Sequence, residues 1–190
     1  MRKHPGGAEI EITMLFADVR GSTTIAEKRS PARFSQFINR FYKAATDVLL
    51  ASDAIIDRLI GDEVVGIYAP GIAGAEHARR AVDAALKILS VTGHQEPSGP
   101  WAPVGAGVHT GVSYVGTVGS QAGAMDLTAL GDVPNVAARL AGQAAIGEVV
   151  ISNTVCLAAE LNPDKLEERQ LFLKGRTEPV EAHVLTLTSH

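Results

Sequence analysis

The chain has 190 residues, of which 46% are hydrophobic and 20% charged, which is typical of one globular domain spanning residues 1–190. Its net charge of −4 argues against a nucleic-acid surface, and its single cysteine excludes an internal disulfide and favours a cytoplasmic setting. No stretch approaches the ~20 apolar residues of a membrane span, and the first residues lack the apolar core of a signal peptide.

The N-terminal third of the sequence predicts a strand followed by a helix. Residues 1–9 are expected to form a flexible segment, and residues 10–18 a buried strand that ends in an acid. Apolar residues spaced three and four apart between Pro31 and about Leu50 predict an amphipathic helix, with Ser30 as its N-cap.

The next segments predict a hairpin and a second helix. Two apolar runs within residues 54–69 flank Gly61 and Asp62, and a Gly-Asp pair between apolar runs is typical of a β-hairpin. Residues 75–91 have a helical pattern, and His77 near their start is expected at the surface.

A loop rich in glycine and proline covers residues 93–103. The runs 104–111 and 112–119 predict two strands joined near Gly111, and residues 120–125 are expected to be irregular. We expect His109 in the first of these runs to be a packed or turn histidine, Cys156 a core residue, and Trp101 a packing anchor.

The C-terminal third predicts a helix from Asp132 to about Ala145, a strand at 148–152, a short helix at 153–161, and strands at 171–175 and 180–186. The order of the earlier elements, βαββαβ, matches a ferredoxin-like core. The predicted fold class is therefore α+β, an α/β sandwich with C-terminal additions. A fold does not specify a function, so the function depends on the residues of the site.

Two carboxylates are the candidate metal ligands. Asp18 ends the first predicted strand, and Asp62 lies in the hairpin turn. If these strands are neighbours, both carboxylates project from one end of the sheet, and such oxygen ligands suit Mg²⁺ or Mn²⁺ shared with substrate phosphates. The alternative for each aspartate alone is a turn former or a helix cap.

A glycine-containing turn follows Asp18 and leads towards a helix. Backbone N–H groups in such a turn can cradle phosphates, and the alternative is an ordinary capped helix start. The turn lacks the GxxxxGK[ST] pattern, so it is not a P-loop. Its candidate phosphate-binding residues are Arg20, Gly21, Ser22 and Thr23.

Asn135 and Arg139 are four residues apart on a predicted helix and therefore share a face. An amide and a guanidinium that project together can bind a ribose and a phosphate, and the alternative is a solvated helix face. Lys174 lies in a basic turn near the C-terminus, and its alternative is an ordinary surface turn.

Five stretches of the chain together resemble the class III adenylate/guanylate cyclase catalytic domain family, in the family's order and approximate spacing. They are LFADVRGST at 15–23, RLIGDEVVG at 58–66, HTGVSYVGTVG at 109–119, TALGDVPNVAARL at 128–140 and LKGRTEPV at 173–180.

The resemblance implies two metal ions, Mg²⁺ or Mn²⁺, held by Asp18, Asp62 and the backbone carbonyl of Val19. The turn after Val19 would then bind the β- and γ-phosphates of the substrate. In the family, two catalytic domains pair head to tail, so the resemblance also implies a homodimer with its active sites at the interface.

The partner copy is expected to complete each site. By resemblance, Arg58 and Thr128 would bind the base, Asn135 the ribose, Arg139 the α-phosphate and Lys174 the triphosphate. The ribose 3′-hydroxyl would attack the α-phosphorus of ATP, giving 3′,5′-cyclic AMP and pyrophosphate.

Arg58 departs from the family pattern, because adenylate cyclases usually carry lysine there. Arginine is a hydrogen-bond donor like lysine but is longer and planar. Two alternatives to an adenylate cyclase therefore stay open: a guanylate or dual-specificity cyclase, and a nucleotide-binding regulatory module without catalysis. The family resemblance also allows a regulatory domain in a longer protein, or a place on the cytosolic side of a membrane-anchored one.

Overall fold

One twisted sheet with helices on both faces organises the chain in the computed structural model, which describes residues 7–119, 125–172 and 179–188. The elements in chain order are β1 (Gly7–Val19), α1 (Ser22–Glu27), α2 (Pro31–Ala51), β2 (Ile55–Ile60), β3 (Glu63–Tyr68), α3 (Pro70–Ala73), α4 (His77–Val91), β4 (Val104–Gly119), β5 (Met125–Leu130), α5 (Asp132–Gln143), β6 (Val149–Ser152), α6 (Asn153–Ala158), a 3₁₀ turn (Pro163–Lys165), β7 (Glu167–Leu171) and β8 (Val180–Leu185).

The strands lie in the order β2-β3-β1-β4-β6-β8-β7, and β5 pairs with β4 outside this row. Within the described ranges the pair β4–β6 is parallel and the other pairs are antiparallel. The first four strands in this row form the predicted βαββαβ core, so the α+β fold class is confirmed.

Strand β1 has a helix layer on each side. Its residues alternate between the two layers because successive side chains of a strand point to opposite faces. Leu15, Ala17 and Val19 belong to the core formed with α2, α4 and α6. Met14 and Phe16 belong to the core formed with α5. Burying each large apolar side chain contributes roughly 1.5–3 kcal/mol, so β1 is fixed from both faces.

Helix α2 begins and ends close to its predicted limits. Ser30 is its N-cap and accepts a hydrogen bond from the backbone N–H of Arg33 at 3.4 Å, and Pro31 occupies the first turn. A proline is favoured there because its missing N–H would have no partner within the helix.

The prediction of two strands joined near Gly111 is wrong, because β4 is one strand that runs through Gly111 without a turn. The glycines of β4 mark close approaches instead. A Cβ atom on Gly107 would overlap the backbone nitrogen of Ala141, so this glycine lets α5 pack directly onto the strand.

Three further segments differ from the predictions. Residues 7–9, predicted to be flexible, pair with Tyr114–Gly116 as the start of β1. Strand β5 covers a segment for which the sequence predicted no strand. Strand β7 precedes the predicted strand at 171–175, of which 173–175 lie outside the described residues. The residues of β7 are mostly charged, which suits an edge strand.

The prediction that His77 lies at the surface is wrong. The residue is only 5% exposed, and its Nδ1 lies 2.8 Å from Thr13 Oγ1. In contrast, His109 and Cys156 are buried as predicted, and Trp101 packs against the main core. Throughout the described ranges, no helix combines the length and apolar character that crossing a bilayer requires.

Candidate active site

The end of β1 and the β2–β3 turn meet at one edge of the sheet. Asp18 is paired across the ladder with Glu63, the first residue of β3. The backbone N–H of Val19 donates to the carbonyl of Asp62 at 3.0 Å. The structure therefore brings Asp18, Val19 and Asp62 together, at the same end of two neighbouring strands.

Tyr42 braces this turn from helix α2. Its hydroxyl donates to the carbonyl of Gly61 at 2.8 Å, and Gly61 adopts a φ of +63°, which favours glycine. Tyr42 was not among the predicted site residues. The available signal was the spacing of Tyr42, which follows the buried Ile38 by four residues and precedes the buried Ala45 by three. This spacing places a hydroxyl beside the apolar stripe of α2.

The Asp18 carboxylate lies in an unusual environment. Its side chain is 22% exposed, and burial raises its pKa from 3.8 to about 6, with the Arg20 guanidinium lowering the pKa and the Asp62 carboxylate raising it. Burial, together with the charges of Asp18 and Asp62, also raises the pKa of Glu63. The negative potential of this edge favours a bound cation or a proton.

A metal ion fits these residues. Asp18 Oδ1 is buried and accepts no hydrogen bond from the described residues. Its charged neighbour is Arg20 Nη2, which forms an ion pair with it at 2.9 Å. The described ranges contain no cluster of three or more His, Cys, Asp or Glu side chains placed to hold a metal. Two carboxylates suffice for Mg²⁺ when substrate phosphates and water supply the other ligands.

Arg20 connects the carboxylate edge to helix α5. Its backbone N–H donates to the carbonyl of Pro103 at 2.7 Å, and its guanidinium donates to the carbonyl of Ala141 near the end of α5. Arg20, which was predicted to bind phosphate, therefore has its side chain directed towards Asp18 and α5. Such a contact, between residues far apart in the sequence, has no local sequence signal.

A cavity of about 330 Å³ lies next to the metal ligands. It lies between the start of α1, the first turns of α2 and the β2–β3 turn. Gly21, with a φ of +66°, precedes α1 without a side-chain cap bond. The cavity offers two hydroxyl groups beside the Asp62 carboxylate, and its lining residues are Ser22, Thr23, Ala26, Phe34, Gly61 and Asp62.

Helix α5 carries the two predicted ribose and phosphate ligands. Asn135 is exposed, and its Nδ2 donates to the carbonyl of Gly131 at 3.0 Å. Arg139 is half-buried, while Val136 and Leu140 on the adjacent face are fully buried against the sheet. Core packing therefore fixes the helix face on which Asn135 and Arg139 lie.

The predicted base-binding residues lie on strands that are not neighbours. Arg58 is on β2, and its Nε donates to the Asp57 carboxylate at 2.7 Å. The Asp57 side chain is 3% exposed and that of Arg58 is 49% exposed. Thr128 is on β5, opposite Gly116 of β4. Lys174 lies outside the described residues.

Comparisons with a family model and with known proteins all identify the same family. The model of the adenylate and guanylate cyclase catalytic domain matches residues 7–186. Adenylate cyclase 1 of Rhizobium meliloti is 34% identical over 137 residues, which are 70% of this chain and 20% of that protein. An adenylate cyclase of Anabaena cylindrica is 28% identical over 183 residues, which are 90% of this chain and 36% of that protein.

The chain thus spans only about a fifth to a third of the length of these curated relatives. Among solved structures, the guanylyl cyclase Cya2 superimposes with a TM-score of 0.83 at 24% identity, covering 94% of this chain and 93% of that one. This likeness concerns the fold.

Proposed function

Because the chain belongs to the adenylate and guanylate cyclase catalytic domain family, we propose that it converts ATP into 3′,5′-cyclic AMP and pyrophosphate at a site shared by two copies. The observation that carries this proposal is the Asp18 carboxylate. One of its oxygens is buried and accepts no hydrogen bond from the described residues, although the Arg20 guanidinium pairs with it at 2.9 Å, and it lies at the same sheet edge as Asp62, beside a cavity lined with hydroxyls. This arrangement suits a substrate that arrives with metal ions and phosphates.

Asp18, Asp62 and the carbonyl of Val19 would hold two Mg²⁺ or Mn²⁺ ions. When bound, such ions would lower the pKa of the ribose 3′-hydroxyl and offset the negative charge of the leaving pyrophosphate. The chain itself keeps the Asp18 carboxylate oriented through the nearby Arg20 guanidinium. The Tyr42 hydroxyl, bonded to Gly61, keeps the turn that bears Asp62 in place.

The 330 Å³ cavity would receive the β- and γ-phosphates. Ser22 and Thr23 offer hydroxyl donors and lie in the first turn of α1, where backbone N–H groups lack partners within the helix. Gly21 allows the sharp change of direction that leads from β1 into this turn. The substrate phosphates would thereby lie beside Asp62, within reach of the same ions.

A second copy of the chain would supply the remaining groups. Asn135 would hold the ribose, Arg139 would donate to the α-phosphoryl oxygens as the 3′-oxygen attacks phosphorus, and Lys174 would bind the triphosphate. Donors placed where charge develops stabilise the transition state more than the ground state.

The exposed apolar residues Val112, Tyr114 and Leu130 support the proposed pairing of two copies. They are 64%, 36% and 48% exposed, and Tyr114 and Leu130 are direct partners in the β4–β5 ladder. Adjacent apolar side chains of this size on a surface are typical of an interface. A homodimer with two-fold symmetry would contain two equivalent sites.

Adenine selection is proposed for Arg58 and Thr128. The buried Asp57 carboxylate binds one edge of the Arg58 guanidinium and so orients it. An arginine can only donate, which suits the N1 acceptor of adenine and does not suit the N1–H of guanine. Thr128 can accept from the adenine amino group.

The setting proposed for this reaction is the cytoplasm, with residues 1–190 as one catalytic module. The module would act alone or under a regulatory domain of a longer protein, including one anchored in a membrane. A single, buried cysteine agrees with this setting, because proteins of reducing compartments do not depend on disulfides.

Nucleotide selectivity tests the base assignment. With Mn²⁺ and equal concentrations of ATP or GTP, the chain is expected to cyclise ATP faster. Arg58→Lys should retain this preference, and Arg58→Glu should lower the ATP-to-GTP ratio of kcat/KM by about tenfold or more, because a carboxylate accepts from guanine and repels the N1 lone pair of adenine. Faster cyclisation of GTP by the unmodified chain would identify a guanylate cyclase. Nucleotide binding without product from either substrate, also in Arg58→Lys, would identify a regulatory module.

A further inference from the structure

Three arginines line a second cavity, on the N-terminal part of helix α2 and the residue before its cap. The cavity is open to solvent and has a volume of about 530 Å³. Its lining residues are Arg29, Arg33, Gln36, Phe37 and Arg40. None of them lines the 330 Å³ cavity beside Asp62.

Aromatic rings hold two of the guanidiniums in place. The Cζ atom of Arg29 lies 4.5 Å from the ring centroid of Phe37, and that of Arg40 lies 3.9 Å from the ring centroid of Trp101. The two rings contact each other edge to face at 6.2 Å, and Phe37 is only 6% exposed. Stacking uses the face of a guanidinium and leaves its N–H groups, which lie in the plane, available to an acceptor.

These three arginines differ from Arg79 and Arg80, which have counter-charges. Arg79 pairs with Asp83, and Arg80 pairs with Asp53. No ion pair joins Arg29, Arg33 or Arg40 to a carboxylate in the described parts of the chain. Three positive charges therefore converge on one cavity of a chain whose net charge is −4.

We propose that this arginine cavity binds a polyphosphate anion, such as pyrophosphate or the phosphate chain of a nucleotide. Guanidinium forks match phosphate oxygens in geometry, and hydrogen bonds between charged partners are about twice as strong as neutral ones. A multiply charged anion suits three guanidiniums better than a single carboxylate does. The Gln36 amide adds a neutral donor to the same cavity.

The arginine cavity is coupled by packing to the cavity beside Asp62. Phe34 lines the latter, and its ring stacks on that of Phe37 at 6.3 Å with an angle of 30° between the planes. Both rings belong to the first two turns of α2. A polyphosphate bound to the arginines therefore acts on the same helical turns that border the proposed substrate phosphates.

The single tryptophan of the chain gives a direct readout. Trp101 lies under Arg40, so an anion that bonds to this guanidinium changes the fluorescence of Trp101. The titration uses pyrophosphate in EDTA, which removes metal-dependent binding at Asp62, with ionic strength held constant by NaCl. A saturable change is expected, and isothermal titration calorimetry provides a second measure of binding.

Variants distinguish this site from the proposed active site. Arg33→Gln is expected to weaken binding of pyrophosphate by about tenfold or more, and Arg29→Gln/Arg33→Gln to abolish saturation. Arg79→Gln, a matched surface arginine, and Asp62→Ala should bind like the unmodified chain. Circular dichroism checks that the exposed substitutions leave the fold intact.

ATP in EDTA separates the sources of the phosphate chain. Similar affinities for ATP and pyrophosphate are expected, because the arginines contact phosphates and not a base. The proposal is overturned if neither method detects saturable binding of pyrophosphate at millimolar concentration, if the double variant binds unchanged, or if ATP binds and pyrophosphate does not. None of these outcomes depends on whether the chain cyclises nucleotides.

Discussion

Asp18→Asn is expected to abolish nucleotide cyclisation and at the same time to stabilise the metal-free chain. The activity is lost because a neutral amide is a poor ligand for Mg²⁺ or Mn²⁺. We expect a loss of at least about 10³-fold in kcat, on the scale of removing an essential electrostatic group. The gain in stability has a separate cause, which is the burial of the carboxylate.

The pKa of Asp18 is raised from 3.8 to about 6 in the folded chain. Between these pH values the folded chain holds a proton that the unfolded chain releases, so its free energy of unfolding falls as the pH rises. Above pH 6 the buried carboxylate is charged, and the full free-energy cost of burying that charge applies. We therefore expect Asp18→Asn to be more stable than the unmodified chain at pH 8 by roughly 1–3 kcal/mol. Below the unfolded pKa both forms are neutral, and the difference should disappear.

Urea unfolding in EDTA at pH 4, close to the unfolded pKa of 3.8, where most of the difference should be gone, and at pH 8, where it should be complete, measures this effect. Asp47→Asn is the matched control, because Asp47 is 62% exposed and its pairing with Lys43 is a surface ion pair worth little. A lower stability of Asp18→Asn at pH 8, or a difference that does not change with pH, would contradict the assignment of a carboxylate whose pKa is raised by burial.

Mixing two inactive variants is expected to restore activity. Asp62→Ala removes a proposed metal ligand, and Arg139→Ala removes the proposed α-phosphate ligand on α5. If each site takes Asp62 from one copy and Arg139 from the other, every heterodimer contains one intact site and one that lacks both residues. Random pairing of equal amounts then gives about a quarter of the unmodified rate, while each variant alone stays near background.

The control for this experiment is a mixture of Asp62→Ala and Asp18→Ala. Both changes lie in the same half of the proposed site, so no heterodimer contains an intact site and no recovery is expected. Co-expression with two different affinity tags ensures that heterodimers are present in both mixtures. Recovery in both mixtures, or in neither, would argue against sites shared between two copies.

Local patterns were sufficient to predict much of the fold. Helix α2 follows from its apolar spacing and its Ser30 cap, and the hairpin follows from Gly61 and Asp62 between apolar runs. Both patterns report interactions between residues close in sequence. The glycines of β4 were misleading, because a glycine permits both a turn and a close approach, and only the position of α5 distinguishes the two.

The environment of the candidate site was less predictable than its residues. The sequence indicates Asp18 and Asp62, but the contact between Arg20 and the carbonyl of Ala141 joins residues 121 positions apart. Likewise, His77 is buried because Thr13, 64 positions away, supplies its polar partner. Contacts of this kind depend on how the sheet and helices assemble, and no periodicity within one segment encodes them.

The central claim is that this chain forms the 3′,5′-cyclic phosphodiester of a nucleotide from its triphosphate and releases pyrophosphate. Its most direct test incubates the purified chain with ATP and Mn²⁺ and measures both products by chromatography. We predict one pyrophosphate for each 3′,5′-cyclic AMP, with neither product formed in EDTA or by Asp62→Ala. Formation of ADP and phosphate in place of these products, or no turnover of ATP and GTP at any metal concentration, would contradict the account.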